Sequence, residues 1–226
     1  MPTGALLAVP TGSCEQHGPH LPFDTDTLLA MSLARALAGR RSDVVVAPAV
    51  AVGASGEHQS FPGTLSIGTD AMRAVAVELA RSALPPPGSP LPRPFAAVLF
   101  VNGHGGNVEA LAAAVQQLRA EGRAVAVWHP RVEGGDPHAG HTETSLMLHL
   151  HPDRVRMGLA EPGSPARFRD IGDTLRTEGL AAVTPNGVLG DPTTAGAAEG
   201  GRLFADLVDA LVAAADALHR RAPHGT

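Results

Sequence analysis

The sequence contains no lysine and no tyrosine, one cysteine and few aromatics, 3% of its 226 residues. The lone Cys14 excludes an internal disulfide and points to a reducing compartment. So few aromatic rings leave nothing on which to stack a single-stranded nucleic acid. All 17 basic residues are arginines, scattered along the chain, and the net charge is -5, so no basic stripe for nucleic acid exists either. Long apolar runs are also missing. The most apolar stretch near the C-terminus is interrupted by Asp206, Asp209 and Asp216 and falls short of the ~18 residues of a membrane span. Met1-Pro2-Thr3-Gly4 lacks the positive start of a secretory leader. A cytoplasmic protein without a membrane or nucleic-acid partner is expected.

What is present is 44% hydrophobic residues, 26 glycines and 11 histidines. At this length one hydrophobic domain spanning 1–226 is expected, able to bury roughly 70% of its unfolded surface. Short apolar runs alternate with segments of helical period, the pattern of a mostly parallel sheet covered on both faces: a three-layer α/β/α sandwich. Strands are expected at 5–9, 44–47, 95–101 and 124–128, and helices at 26–38, 70–84, 107–121, 142–150 and 195–221. Asp24 or Thr25, Thr69 or Asp70, and Asn107 are the expected N-caps, and Gly39 and Gly122 the expected stops. The proline-rich stretch 85–94 reads as a surface loop, and no repeats are found. Residues 153–193 give no clear pattern.

Four polar loops, 12–26, 53–63, 102–107 and 134–145, each follow a predicted strand. In open parallel sheets the ligand crevice lies outside those strand ends, so the loops are expected to converge. Most histidines fall in or beside them: His17, His20, His58, His104, His129, His138, His141 and His149. Glu15-x-His17 puts two side chains on one side of an extended segment, Asp26 returns at the start of the next helix, and His104 arrives from another strand end. Together these four form a mixed nitrogen and oxygen metal site. Such ligands without thiolate suit zinc, manganese or ferrous iron. A metal of this kind polarises a carbonyl and brings a bound water towards a pKa of ~7, and amide hydrolysis is its natural use. A site that merely staples loops is the non-catalytic alternative.

Rival chemistries have less support. No Gly-x-Ser-x-Gly elbow exists for a serine nucleophile, and Cys14 is crowded by Glu15. The glycines of 102–107 match no phosphate-binding fingerprint and more simply let the backbone turn so that His104 points into the site.

The strings Gly12-Ser-Cys-Glu-Gln-His-Gly-Pro-His-Leu-Pro-Phe-Asp-Thr-Asp26, Gly56-Glu-His58, Phe61-Pro-Gly-Thr64, Asn102-Gly-His-Gly-Gly-Asn107 and His138-Ala-Gly-His-Thr-Glu-Thr-Ser145 resemble the creatininase (creatinine amidohydrolase) family. Extended to Gly134 and joined by Gly187-Val-Leu-Gly-Asp-Pro-Thr-Thr194, the match is similar to one branch, the mycofactocin-system peptidases. The resemblance implies a creatininase-like α/β/α fold, a metal-dependent amide hydrolase and a homo-oligomer, commonly a hexamer. It implies Glu15, His17, Asp26 and His104 as ligands to one or two divalent ions (Zn, Fe or Mn), the same four that the loop argument selects. In creatininase itself an acidic ligand stands where this chain has Gly106. If two ions bind, Asp26 bridges them and Glu143 is the candidate replacement carboxylate. Its plainer role is an acid in a helix's first turn, favoured by the helix dipole. His138 is the candidate proton donor to the leaving amine. Glu57 and His58 shape the pocket or a subunit contact, and His20 and His141 have no assigned role. The branch implies a modified precursor peptide as substrate, cleaved to release its Val-Tyr-derived C-terminal dipeptide. A cyclic amide or formamide is the alternative substrate.

Overall fold

The computed structural model describes residues 4–86 and 89–221. Met1 to Thr3, part of the start read above for a leader, and part of the proline-rich loop lie outside these residues. Four strands, β1 (Ala5–Thr11), β2 (Val44–Val46), β3 (Phe95–Asn102) and β4 (Val125–Trp128), form one parallel sheet in the order β2-β1-β3-β4. Between them run α1 (Thr25–Arg40), α2 (Gly68–Ala83) and α3 (Val108–Ala120), followed by α4 (His141–Leu150), α5 (Phe168–Glu178) and α6 (Ala197–His219).

The strands are apolar throughout because both sheet faces are covered. With period two, Leu6, Ala8, Ala97, Leu99 and Val101 face a core shared with α1, α4 and α6. Val9, Val98 and Phe100 face a second core against α2 and α3. The result is the expected α/β/α sandwich. In α6 Leu207, Leu211, Ala215 and Leu218 are buried, whereas Asp209 and Asp216 pair outward with Arg40 and Arg41 of the α1 end. Among the described residues no helix is long and apolar enough to cross a membrane.

Asp24 occupies the N-cap of α1 and Gly122, at φ 76, closes α3 as expected, but the other expected caps need correction. Helix α1 continues through Gly39 to Arg40, since the buried Leu33, Ala34 and Leu37 hold its face on the sheet. Helix α2 starts at Gly68, which puts Thr69 and Asp70 inside its first turn, and its first amide donates to Ser66 Oγ instead. Asn107 sits at the N-cap of α3 but its amide is engaged elsewhere. A side-chain cap forms at α4, where the Asp136 carboxylate accepts the free amides of His141 and Thr142.

The unpatterned 153–193 segment contributes α5 and a small cluster of Ile171, Leu175, Leu180 and Leu189, with Phe61 packed against it. It therefore roofs the loop that carries His58. Helices α4 and α6 cross at Gly200, where an added Cβ would overlap the Ser145 carbonyl oxygen. Gly200→Ala is thus expected to force the helices apart and cost about 1–3 kcal/mol, read as a lowered thermal midpoint of a few degrees.

Candidate metal centre and active site

The four loops meet beyond the strand C-termini, as parallel topology requires. The 12–26 loop leaves β1 in extended form, so its side chains alternate. Ser13, Glu15 and His17 are buried in one cluster, while Cys14 between them is half-buried and joins none of the candidate ligand groups. Thr25 and Asp26, at the start of α1, are fully enclosed.

Glu15 is 0% exposed, and neither carboxylate oxygen has a hydrogen bond of acceptable geometry. His104 Nδ1, His58 Nε2 and His138 Nδ1 nevertheless surround its Oε1 at 3.2, 3.5 and 3.9 Å. A buried carboxylate in that condition costs several kcal/mol unless a cation completes it. Asp26 joins two sides of the cluster. Its Oδ2 accepts from Ser13 Oγ at 2.7 Å and lies 3.0 Å from His104 Nδ1, and its Oδ1 lies 3.1 Å from His17 Nε2. Glu143 Oε2 lies 3.9 Å from the same His17 nitrogen and accepts the Ala139 amide at 2.6 Å. Three donor sets follow, each compact enough for one ion: Glu15, Asp26 and His104; His17, Asp26 and Glu143; and Glu15, His17 and His138.

Backbone groups fix the ring orientations, because a carbonyl only accepts. His104 Nε2 donates to the Ala54 carbonyl at 2.9 Å and His17 Nδ1 to the Glu15 carbonyl at 3.2 Å, so Nδ1 of His104 and Nε2 of His17 face the carboxylates. His138 Nε2 donates to the Gln16 carbonyl at 3.0 Å, which turns Nδ1 towards Glu15. Gln16 takes the Gly18 amide on its Oε1 and gives an Nε2–H to the Gly187 carbonyl. Its other Nε2–H goes to His58 Nδ1 at 3.2 Å. His58 therefore presents an N–H, not a lone pair, to Glu15. At 3.5 Å from Glu15 Oε1 it flanks the carboxylate with a hydrogen rather than a ligating lone pair, an arrangement that sequence order could not show.

Charge follows geometry. Burial alone would lower His17, but Asp26 overrides it and raises the imidazole to about 10. Burial likewise opposes a charged His104, and Glu15 and Asp26 raise it well above the usual range. Asp26, which burial would raise, is held well below the carboxylate range by His17 and His104. Without a cation, protons on these imidazoles neutralise the carboxylates. His138 is driven well below its usual value by burial and then by His17, and is neutral. His58 and His20 fall to about 4, mainly by burial. Burial pushes Glu143 up to about 7.

Other features follow from space. A Cβ on Gly106 would collide with the Ala54 carbonyl, His104 Nε2 and Glu57 Oε1, so this loop has no room for an acidic ligand there. Glu143, in the first turn of α4, brings a third carboxylate to within 3.9 Å of His17 Nε2. Ala139 adopts φ 53, rare for a residue with a Cβ, and this bend aims its amide at Glu143. His20 borders the cluster and bonds Thr144. His141 bonds Glu199 and Thr194, and His149 stacks near Phe204, so both fasten α4 rather than enter the site. Asn107 ties Gly12, Ala54 and Asn102 together instead of capping its helix. A cleft of about 1070 Å³ opens from His104 and Glu143 along the loop after β4.

Comparison with known proteins agrees with this architecture. The family model described as creatinine amidohydrolase matches residues 2–215. The mycofactocin precursor peptide peptidase of Mycolicibacterium smegmatis is 51% identical over 210 residues, covering 90% of this chain and 81% of that protein. Its counterpart from Mycobacterium ulcerans is 49% identical over 218 residues (93% and 84%). The creatinine amidohydrolase of Pseudomonas putida is 29% identical over 196 residues (72% and 71%). A manganese form of creatininase superposes with a TM-score of 0.72 at 26% identity, covering 97% of this chain and 92% of that one. A zinc–zinc form of a mutant creatininase gives 0.71 with the same identity and coverage. The chain belongs to the creatininase (creatinine amidohydrolase) family, whose members are metal-dependent hydrolases of amide bonds.

Proposed function

We propose that the enzyme is a peptidase that releases the Val-Tyr-derived C-terminal dipeptide from a modified precursor peptide. The relatives at about half identity carry that name, and the open cleft of about 1070 Å³ suits a peptide better than a creatinine-sized ring. The observation that carries the metal is Glu15, a fully buried carboxylate with no satisfied oxygen, ringed by imidazole nitrogens. Glu15, Asp26 and His104 would hold one divalent ion and His17, Asp26 and Glu143 a second, with Asp26 shared. Each set offers three protein donors, which leaves room for water as catalytic rather than stapling sites do. Zinc, manganese and iron all suit these donors.

Such ions, when bound, polarise the scissile carbonyl and acidify a bound water. His138 handles the protons. Its Nε2–H is committed to the Gln16 carbonyl, so its neutral Nδ1 accepts the proton lost by the attacking water. As the C–N bond breaks, that proton passes to the leaving amine, and Nδ1 regains its lone pair. His58 and Gln16 hold Glu15 and the ring of His138 in register. The proposal further takes residues 1–226 as a single domain in a cytoplasmic homo-oligomer, a hexamer by family resemblance. Exposed Phe23, Leu65 and Ile67 support an assembled form.

Mass spectrometry of a metal-loaded sample with the modified peptide is the test. Appearance of a shortened peptide and a separate dipeptide-derived product is expected. Turnover of a cyclic amide or formamide with the peptide left intact would overturn the substrate in favour of small amides.

A further inference from the structure

The loop after β4 carries three polar side chains that the chemistry above leaves unused, His129, Arg131 and Glu133, all lining the cleft. His129 is half-buried and Arg131 exposed, and both line the cleft that begins at His104 and Glu143. They lie close enough for the Arg131 charge to act on the His129 ring.

The proton position on His129 follows from a chain of hydrogen bonds that starts at an unambiguous donor. The Ala54 amide donates to Asn107 Oδ1 at 2.9 Å, so Asn107 Nδ2 is the donor to Asn102 Oδ1 at 3.1 Å. Asn102 Nδ2 must then donate, to the His104 carbonyl at 2.6 Å and to His129 Nδ1 at 3.0 Å. His129 Nδ1 is therefore an acceptor, and Nε2 carries the hydrogen. Among the described residues that Nε2–H has no partner, and Arg131 has no carboxylate partner. Burial and the Arg131 charge lower the His129 pKa, which keeps the ring a neutral donor. His129 thus lines the cleft with its hydrogen fixed on Nε2 by a chain of three amides, a donor of set direction next to His104.

We propose that His129 and Arg131 form a subsite for the peptide chain on the N-terminal side of the scissile bond: His129 Nε2–H binds a main-chain carbonyl and Arg131 an acidic side chain of the substrate. This inference rests on the peptidase reading, because only a peptide extends from the reaction centre along the cleft.

Binding to the metal-loaded enzyme tests it without turnover. The probes are fluorescein-labelled synthetic peptides that end just before the Val-Tyr pair and carry either Glu or Gln upstream, read by anisotropy. His129→Asn keeps an oxygen where Nδ1 accepts from Asn102 but removes the outer donor; His129→Gln keeps a donor at the outer position. Loss of one hydrogen bond is expected to weaken binding about 3- to 10-fold in His129→Asn, with metal content unchanged and His129→Gln close to wild type. Arg131→Ala should weaken the Glu peptide and not the Gln peptide, and only in low salt to its full extent. Unchanged affinity in both His129→Asn and Arg131→Ala, or metal loss accompanying every affinity loss, would overturn the subsite. Wild-type binding without precursor cleavage would overturn the peptidase reading and leave His129 and Arg131 as a peptide-binding site with no scissile bond beside it. Precursor cleavage with no binding of either probe would overturn the subsite and leave the peptidase reading standing.

Discussion

Asp26→Ala is expected to strip the enzyme of metal and to cut hydrolysis by more than about 10²-fold, beyond the 10- to 100-fold typical when only an outer-shell partner is lost. Asp26 is the one residue shared by the sets with His104 and Glu143, so its removal opens both. Chelation should abolish activity in the wild type, and added zinc or manganese should restore it there but not in the mutant. Ser13→Ala provides the contrast. It removes only the 2.7 Å hydrogen bond to Asp26 Oδ2 and should weaken metal affinity within the outer-shell range. Cys14→Ala should remain active, because that side chain joins no ligand set. Metal affinity should also fall as pH falls. Asp26 raises the His17 imidazole to about 10 against the effect of burial, so without metal it is protonated; an incoming ion must displace that proton, and acid restores the competitor. Elemental analysis beside rates across pH checks each point; full turnover in a verified metal-free sample would sink the metal-dependent mechanism.

His138→Ala, just before α4, and Glu143→Gln, in its first turn, should fail in different ways. Without the neutral Nδ1 of His138 the chemical step should slow by about 10²- to 10⁴-fold, the usual scale for a lost general acid or base, with bound metal retained. Glu143→Gln should instead lower the number of ions per subunit, since an amide is a much poorer ligand than a carboxylate. The Ala139 amide can still donate to the Gln carbonyl oxygen, so the helix start survives and the metal loss reports ligation alone. Single-turnover rates and metal counts on the same samples separate the two roles. Unchanged metal in Glu143→Gln would reduce that residue to a helix-terminal acid, and an unchanged rate in His138→Ala would remove it from proton transfer.

Layering and the location of the site were legible because both follow from short-range rules. The period-two burial of Leu6, Ala8, Leu99 and Phe100 on opposite sheet faces is written in continuous apolar runs, and parallel strands force their following loops to one edge. Glu15, His17, Asp26 and His104 could therefore be grouped before any distance was known. Helix ends were read less well. Gly39 does not stop α1 and Asn107 does not cap α3, because packing of Leu37 and the competing partners Gly12 and Ala54 outweigh a local preference worth about 1 kcal/mol. Only the tertiary structure decided which imidazole nitrogen faces the carboxylates, that His58 offers a hydrogen where His104 can offer a lone pair, and that Gly106 has no space for an acid while Glu143 does. Each depends on carbonyls and amides from Ala54, Gln16, Ala139 and Gly187, groups that every sequence possesses and whose direction is set only when distant segments pack together.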